Sequence, residues 1–288
     1  MFDLERRLHV GIVGTGTMGK GIVQILVQSD CVDSVSWKGR SSESVTNALA
    51  EIELQFERLV NKKRLDATQA RHFIKKIKVV RDYSDFENVE IFIEAVAEDI
   101  DVKRLVFSEL SKVSSENTLL ASNTSSLSVT HLASLTTHPE NVVGLHFFNP
   151  APVMKLAEVI AGLTTSKATV ARALDFARML GKDPVLVNEA PGFIVNRMLI
   201  PMINEAIGIL AEDVATAEEI DKAMRLGANH PIGPLALADL IGNDVNLSIM
   251  ETLHNETGDP KYRAHPLLRK MVRGNLLGRK TGRGFFSY

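Results

Sequence analysis

The spacing of three glycines near the start of the chain constrains its fold more than any other feature. Gly14, Gly16 and Gly19 directly follow an apolar run of strand length, residues 8–13, and open a helical segment, residues 20–28. In such a unit the first glycine makes the tight turn, the second lets backbone approach a pyrophosphate, and the third lets helix and strand pack closely. The helix N-terminus then presents N–H groups to the phosphates. The pattern predicts a dinucleotide-binding unit, with a glycine-rich turn that binds no ligand as the weaker interpretation.

Short apolar runs alternate with amphipathic segments through the first part of the chain. Strand-like runs lie at residues 35–37, 77–80, 90–94, 118–121, 142–148 and 184–187. Helical segments between them imply crossover connections and a mostly parallel sheet covered on both faces, which is a Rossmann-type α/β fold. Residues 44–77 hold more helix than one crossover requires, so we expect a helical hairpin that projects from the sheet.

The pattern becomes helical after residue 186. Apolar positions recur at helical spacing from residue 195 onward, Pro201 is expected to kink that helix, and Thr216 with two following glutamates marks the next helix start. A length of 288 residues agrees with two domains at about 150 residues each. We therefore expect a dinucleotide-binding domain at 1–186 and an all-helical domain for substrate binding and dimerisation at 187–288.

Charge and cysteine content exclude several classes of protein. The chain has 33 Lys and Arg against 35 Asp and Glu, whereas nucleic-acid-binding domains are usually strongly basic. Its single cysteine, Cys31, cannot form an internal disulfide or a cysteine zinc cluster. The first residues show no signal-peptide pattern, and no apolar stretch reaches the roughly 18 residues of a membrane span. These features predict a cytoplasmic protein without nucleic-acid or membrane partners.

The end of the second predicted strand indicates which nicotinamide cofactor is used. A carboxylate about 20 residues beyond the glycines usually binds the adenine ribose hydroxyls, but here Gly39 and Arg40 occupy that region. Gly39 should leave room for a 2′-phosphate, while Arg40 and the hydroxyl of Ser41 can bind it. We therefore expect NADP(H) in preference to NAD(H), which remains the alternative. Arg40 could instead be a solvated loop arginine that contacts no cofactor.

Residues suited to acid–base chemistry follow later strands. His146 lies near the end of an apolar run, and Glu158 follows twelve residues later between apolar neighbours. A carboxylate in such surroundings needs a cationic or proton-sharing partner, because an unpaired buried charge is costly. The two side chains could form a pair in which Glu158 fixes the imidazole tautomer and His146 moves a proton. From these residues alone, a structurally satisfied histidine is slightly favoured over a catalytic one.

Several long blocks give the chain a close resemblance to the 3-hydroxyacyl-CoA dehydrogenase family. These blocks span residues 14–19, 121–127, 144–150, 189–197, 227–234 and 277–285, nearly end to end. The block around His146 and the block around Asn196 are the specific ones, since the glycine fingerprint alone occurs in many dehydrogenases.

The resemblance implies roles for individual residues. His146 and Glu158 match the family's catalytic pair, and Ser125 and Asn196 match groups that hold the reacting oxygen. Gln55 and Lys62 match contacts to coenzyme A. The expected cofactor-binding residues are Gly14, Thr15, Gly16, Thr17, Met18, Gly19, Gly39, Arg40, Ser41, Glu98, Lys103, Asn149 and Lys280. Gly39 departs from the family, in which many relatives carry an aspartate there.

The implied reaction interconverts (S)-3-hydroxybutyryl-CoA and acetoacetyl-CoA. His146 would exchange a proton with the C3 oxygen while hydride moves between C3 and the nicotinamide, and no metal is required. The resemblance also implies a homodimer formed through the helical domain. The alternatives are a relative acting on a free hydroxy acid, such as a sugar acid or carnitine, and a non-catalytic cofactor-binding protein.

Overall fold

A computed structural model describes residues 7–288, which form two compact units divided between Glu189 and Ala190. The boundary expected after residue 186 falls within the last strand of the first unit. Residues 1–6, which carry most of the N-terminal segment judged to lack a signal peptide, lie outside the described residues. No helix between residues 7 and 288 combines the length and apolar character needed to cross a bilayer.

The first unit is built on an eight-stranded sheet. Its strands are β1 (Leu8–Val13), β2 (Val32–Lys38), β3 (Ile77–Val80), β4 (Ile91–Glu94), β5 (Leu119–Ser122), β6 (Val142–Phe147), β7 (Leu156–Ala161) and β8 (Asp183–Asn188). They lie in the order β3-β2-β1-β4-β5-β6-β7-β8. Every neighbouring pair is parallel except β6 and β7, which run antiparallel. The predicted Rossmann-type, mostly parallel sheet is confirmed.

Helices connect these strands and form the second unit. Those of the first unit are α1 (Thr17–Gln28), α2 (Ser42–Asn61), α3 (Ala67–Lys75), α4 (Ile100–Val113), α5 (Val129–Ala133) and α6 (Lys167–Met179). Those of the second are α7 (Val195–Ala211), α8 (Ala217–Gly227), α9 (Pro234–Ile241), α10 (Asn243–Thr257) and α11 (Pro266–Arg273). Between residues 190 and 288 the extended backbone is limited to isolated bridges, so the all-helical prediction is confirmed.

The predicted helical hairpin consists of α2 and α3. A stripe of α2 belongs to the same core as the sheet, because Val45, Ala48, Ile52 and Phe56 are buried among residues of β1 and β2. The hairpin is therefore anchored along α2, and the described residues of α3 are at most partly buried.

The second unit has its own core and its own helix caps. Ile203, Ile207 and Leu253 are fully buried within it. Helix α7 runs through Pro201 without interruption, and Thr216 caps α8 as predicted, accepting from Glu219 N–H. Helix α9 begins after a glycine, so its first N–H groups need an acceptor from elsewhere. Buried Asp221 supplies it, accepting from Leu235 and Ala236 N–H at 2.8 and 2.9 Å.

Candidate active site

The glycine turn after β1 has the geometry expected of a phosphate-binding loop. Gly14 has φ +124°, and a β-carbon there would lie 2.2 Å from the carbonyl oxygen of Ala95. A β-carbon on Gly19 would lie 2.3 Å from the Gly14 carbonyl oxygen. Gly16 differs, because nothing lies within 4 Å of its β-carbon position. Packing of the chain explains the first and third glycines, whereas the space beside the second suits a ligand.

The start of α1 adds an anion-binding end to this turn. Gly16 is the N-cap residue and provides no side-chain acceptor, so Thr17 and Met18 begin the helix without a side-chain cap. Uncapped N–H groups and the positive end of the helix dipole favour phosphate. The open side of Gly16 and this helix end together fit the pyrophosphate of a dinucleotide.

The segment after β2 presents cationic and hydroxyl groups, but the space beside Gly39 is filled. A β-carbon on Gly39 would meet Ser44 Oγ at 2.4 Å and Thr15 Cγ2 at 2.9 Å. The expectation that Gly39 leaves room for a phosphate on its side-chain side is therefore wrong, because the chain's own side chains pack there. Arg40 is exposed, and Ser41 caps α2 by accepting from Ser44 N–H.

His146 and Glu158 form a buried pair. They occupy opposed positions in the antiparallel register of β6 and β7, which points their side chains to the same face. His146 Nδ1 lies 2.8 Å from Glu158 Oε2, and the two residues are 6% and 1% exposed. A carboxylate at Nδ1 fixes the ring orientation and directs Nε2 outward from the pair. The arrangement can carry a proton on the imidazole while the glutamate stabilises the cation.

Neighbouring aromatic and amide groups hold the end of β6. The Phe148 ring packs against the His146 ring, with centroids 4.5 Å apart. Asn123, just beyond β5, accepts from the backbone N–H of Phe147 at 2.9 Å. The carboxyl ends of β5 and β6 are thereby tied together, in the region where α/β sheets bind ligands.

Glu98 holds the loop that carries Ser125. Its Oε1 accepts from Thr124 Oγ1 at 2.6 Å and from the backbone N–H groups of Ser125 and Ser126 at 2.8 and 2.9 Å. The Ser125 hydroxyl also donates to this oxygen, at 3.2 Å. Burial raises the pKa of Glu98, but the Lys103 ammonium and these hydrogen bonds outweigh it, so the pKa lies below its usual value.

Lys103 lies beneath this loop and has no exposed side-chain surface. Its ammonium lies 2.6 Å from Glu94 Oε1 and 3.3 Å from Glu98 Oε2. Glu94 is also fully buried and accepts from Ser122 Oγ at 2.6 Å. The sequence placed Lys103 among residues near the cofactor, but in the structure its charge is used by two carboxylates. Lys103 therefore stabilises the ionised form of Glu98 through this ion pair.

A groove of about 1090 Å³ in the first unit brings several predicted residues together. Thr17 from the fingerprint, Gln55 from α2 and Asn149 from the loop after β6 all line it. Lys20 also lines it and pairs with Glu51. Lys62, at the C-terminal cap of α2, is exposed and is not among the lining residues. Gln55 thus lines the same groove as Thr17 of the cofactor-binding turn, and Lys62 does not line it.

Two predicted residues belong to the second unit. Asn196 lies in the first turn of α7 and is partly buried. Lys280 is exposed and forms an ion pair with Asp244, 2.5 Å away.

Glu94 and Asn123 are site residues that the sequence patterns did not single out. Glu94 ends an otherwise apolar strand run, and a carboxylate in that setting needs a partner, which was the available signal. Asn123 acts through one backbone contact across strands, and no local pattern reports such a contact.

Comparison with known proteins matches both units to domains of one enzyme family. The family model of the 3-hydroxyacyl-CoA dehydrogenase NAD-binding domain matches residues 9–190, and that of the C-terminal domain matches residues 192–288. A 3-hydroxybutyryl-CoA dehydrogenase from Clostridioides difficile is 50% identical over 98% of this chain and 99% of its own. The human mitochondrial hydroxyacyl-coenzyme A dehydrogenase is 38% identical over 97% of this chain and 91% of its own.

Solved structures agree with the sequence relatives. The crystal structure of an (S)-3-hydroxybutyryl-CoA dehydrogenase from Ralstonia eutropha superposes with a TM-score of 0.92 at 46% identity, covering 97% of this chain and 98% of that one. Both family models and these full-length relatives show that the chain belongs to the 3-hydroxyacyl-CoA dehydrogenase family of nicotinamide-dependent oxidoreductases.

Proposed function

We propose that the protein interconverts (S)-3-hydroxybutyryl-CoA and acetoacetyl-CoA, with His146 and Glu158 as its acid–base pair. The observation that carries the proposal is the buried contact between His146 Nδ1 and Glu158 Oε2 at 2.8 Å, at the carboxyl-end region of the sheet. Relatives covering almost the whole chain are named as 3-hydroxybutyryl-CoA dehydrogenases, which supports the four-carbon substrate.

In the oxidative direction, His146 Nε2 takes the proton of the C3 hydroxyl while the C3–H bond breaks and its hydrogen leaves with both bonding electrons as hydride. A bound oxidised nicotinamide ring supplies the hydride acceptor. Glu158 accepts a hydrogen bond from Nδ1–H and, while staying ionised, stabilises the imidazolium that forms, which favours Nε2 as the base. In reduction, Nε2 returns the proton to the oxygen. Ser125 is proposed to hold that oxygen, and Asn196 stays a prediction for the same role.

NADP(H) is the proposed preferred cofactor, with NAD(H) as the alternative. The segment after β2 has no carboxylate to repel a 2′-phosphate, since Gly39 is followed by exposed Arg40 and then by Ser41 at the start of α2. The Arg40 guanidinium favours a phosphate, whereas the N-terminus of α2 already has the Ser41 side chain as its cap and Glu43 in its first turn. Because the side-chain side of Gly39 is filled, the phosphate is expected on the solvent side, next to Arg40.

The groove lined by Gln55 is proposed to receive part of the acyl-CoA. It begins at Thr17 and Asn149 and carries cationic side chains, Lys20 among them, which suits a ligand with several phosphates. Lys62 lies outside the groove, so its role would be limited to a phosphate that extends into solvent. The basic residues next to Lys62 are exposed at the end of α2, and we assign them no role beyond solvation; they are Arg58, Lys63 and Arg64.

A homodimer in the cytoplasm completes the proposal. Several large apolar side chains of the second unit are exposed, namely Met198, Val214 and Leu226, at 74%, 69% and 77%. Exposed apolar side chains of this size are candidates for an association surface, and the dimer itself is proposed from the family resemblance. Light scattering on the purified protein would test the dimer.

One assay tests the proposed function against its alternatives. Loss of reduced-nicotinamide absorbance is followed with acetoacetyl-CoA or free acetoacetate, each with NADPH or NADH. The expected result is rapid turnover of acetoacetyl-CoA with NADPH and little turnover of acetoacetate. Turnover of the free acid would favour a hydroxy-acid dehydrogenase, and cofactor binding without any turnover would favour a non-catalytic protein.

A further inference from the structure

The single tryptophan of the chain is bonded to the first glycine of the phosphate-binding turn. Trp37 is fully buried in β2, where it pairs with Ile12 of β1 and Val79 of β3. Its indole Nε1 donates to the Gly14 carbonyl oxygen at 2.8 Å. An indole N–H can only donate, and a buried donor needs an acceptor.

Strand β2 holds the Gly14 residue at both of its backbone polar groups. The Gly14 N–H donates to the Lys38 carbonyl oxygen at 2.9 Å, and the Gly14 carbonyl accepts from Trp37. The other sides of Gly14 are closed by Ala95 and by Gly19, as the β-carbon positions show. Gly14 has φ +124°, and glycine has little intrinsic preference among backbone conformations, so these contacts with β2, Ala95 and Gly19 define its conformation.

The orientation of the Gly14 carbonyl also sets the direction of the next N–H. The carbonyl of Gly14 and the N–H of Thr15 belong to one planar trans peptide, in which the two groups point in opposite directions. A hydrogen bond that fixes the carbonyl toward Trp37 therefore directs the Thr15 N–H away from β2. This peptide leads directly to Gly16 and the start of α1, where such turns bind the pyrophosphate, so its orientation sets the path of the backbone into that site.

We propose that Trp37 is a positioning residue for dinucleotide binding, which acts by orienting the Gly14–Thr15 peptide through its indole N–H. The proposal rests on dinucleotide binding by the first unit and is independent of the NADP(H) preference. Trp37 touches no reacting atom in this scheme, so its effect belongs to cofactor affinity and leaves proton transfer at His146 unchanged.

Two replacements of Trp37 test the role of the N–H. Trp37→Phe removes the donor and some volume. Replacement by benzothienylalanine, in which sulfur stands for the N–H in a ring of nearly the same shape, removes the donor alone. Val35→Ala is the matched control, because it removes apolar volume from the same buried strand and leaves the Gly14 contact in place.

Dissociation constants for NADPH and NADH are measured by calorimetry, together with KM and kcat. Loss of one buried hydrogen bond should weaken dinucleotide binding about five- to thirtyfold in both Trp37 variants, with kcat changed less than about twofold. Val35→Ala should lower the midpoint of urea unfolding without changing the dissociation constant.

If Trp37→Phe does not fold, the benzothienylalanine variant alone tests the proposal. Binding of the cofactor by that variant with wild-type affinity would overturn the proposal and reduce Trp37 to a core residue. Failure of the wild-type protein to bind either dinucleotide would instead contradict the proposed function, so the two failures are distinguishable.

Discussion

His146 and Glu158 lie directly opposite each other in the one antiparallel strand pair of the described sheet, with 2.8 Å between Nδ1 and Oε2. Because a positioned acid–base group contributes about 10²–10⁴ in rate, His146→Gln should lose that much kcat while its dissociation constant for NADPH stays within about twofold of wild type. Glu158→Gln should lose about ten- to a hundredfold, the worth of a charged hydrogen bond.

Steady-state kinetics with acetoacetyl-CoA measures both variants. His131→Gln, on the exposed side of α5, is the matched control and should turn over like the wild type. If His146→Gln retained more than about a tenth of wild-type kcat, the acid–base assignment would be wrong.

The two fingerprint glycines Gly14 and Gly16 should respond oppositely to alanine. Gly16 has φ −68° and open space at its β-carbon, so Gly16→Ala should fold with a free energy of unfolding within about 0.5 kcal/mol of wild type. Its methyl group occupies the space proposed for the pyrophosphate, so dinucleotide affinity should fall at least about tenfold.

Gly14→Ala provides the contrast, since φ +124° and the Ala95 contact make it destabilising by about 2 kcal/mol or more. Urea unfolding and calorimetric titration measure the two effects separately. Unchanged cofactor binding in well-folded Gly16→Ala would show that the pyrophosphate does not approach this residue.

Arg40→Ala should lower the preference for NADPH over NADH, expressed as the ratio of kcat/KM values, by about ten- to a hundredfold. That range corresponds to one charge-assisted hydrogen bond to the 2′-phosphate, about 1.5–3 kcal/mol. Arg71→Ala removes another exposed arginine, from α3, and serves as the control. A wild-type protein that uses both cofactors equally, or an Arg40 variant with unchanged preference, would contradict the proposal.

Lys103→Met should destabilise the protein by about 3–5 kcal/mol, because it leaves the fully buried Glu94 without its cation. Restoring charge balance in Glu94→Gln/Lys103→Met should recover part of this loss. Urea unfolding of the wild type, the single variant and the double variant measures it. Equal free energies of unfolding for Lys103→Met and the wild type would show that the ion pairs of Lys103 make no net contribution to stability.

Lys103→Met should also shift the acid unfolding of the protein to higher pH, because Lys103 lowers the pKa of Glu98. The pKa of Glu98 in the folded protein lies below its ordinary value of 4.5, so its stabilising contribution is complete above about pH 4.5 and is lost as pH falls through the lower folded-state pKa. Without Lys103 that pKa rises, and the loss should begin at higher pH. Identical acid-unfolding curves for both proteins would contradict this expectation.

The sequence was sufficient for features set by local patterns. Strands β1 and β3 lie at the predicted residues, as glycines and amphipathic segments bound their apolar runs. Strand β7 was not predicted as a strand, and nothing in its residues reports that it runs antiparallel. Strand direction depends on whether a short loop or a helix precedes it, and here a loop returns the chain beside β6.

Site residues divide in the same way. The pairing of His146 with Glu158 could be anticipated, because a carboxylate among apolar neighbours must find a partner. The burial of Lys103 could not, because its partner Glu94 is only nine residues away but belongs to strand β4, and the docking of α4 on the sheet brings the two together. The contact of Trp37 with Gly14 could not either, since it joins residues 23 positions apart. The filled space beside Gly39 likewise depends on Thr15 and Ser44 side chains that come from two other elements.

The antiparallel pairing of β6 with β7 has a consequence for how the chain tolerates insertions. Both members of the proposed proton-transfer pair lie twelve residues apart on one local chain reversal, inside one folding unit. Their alignment therefore depends on the register of this one strand pair, and an insertion of a single residue in either strand would turn one of the two side chains to the opposite face of the sheet.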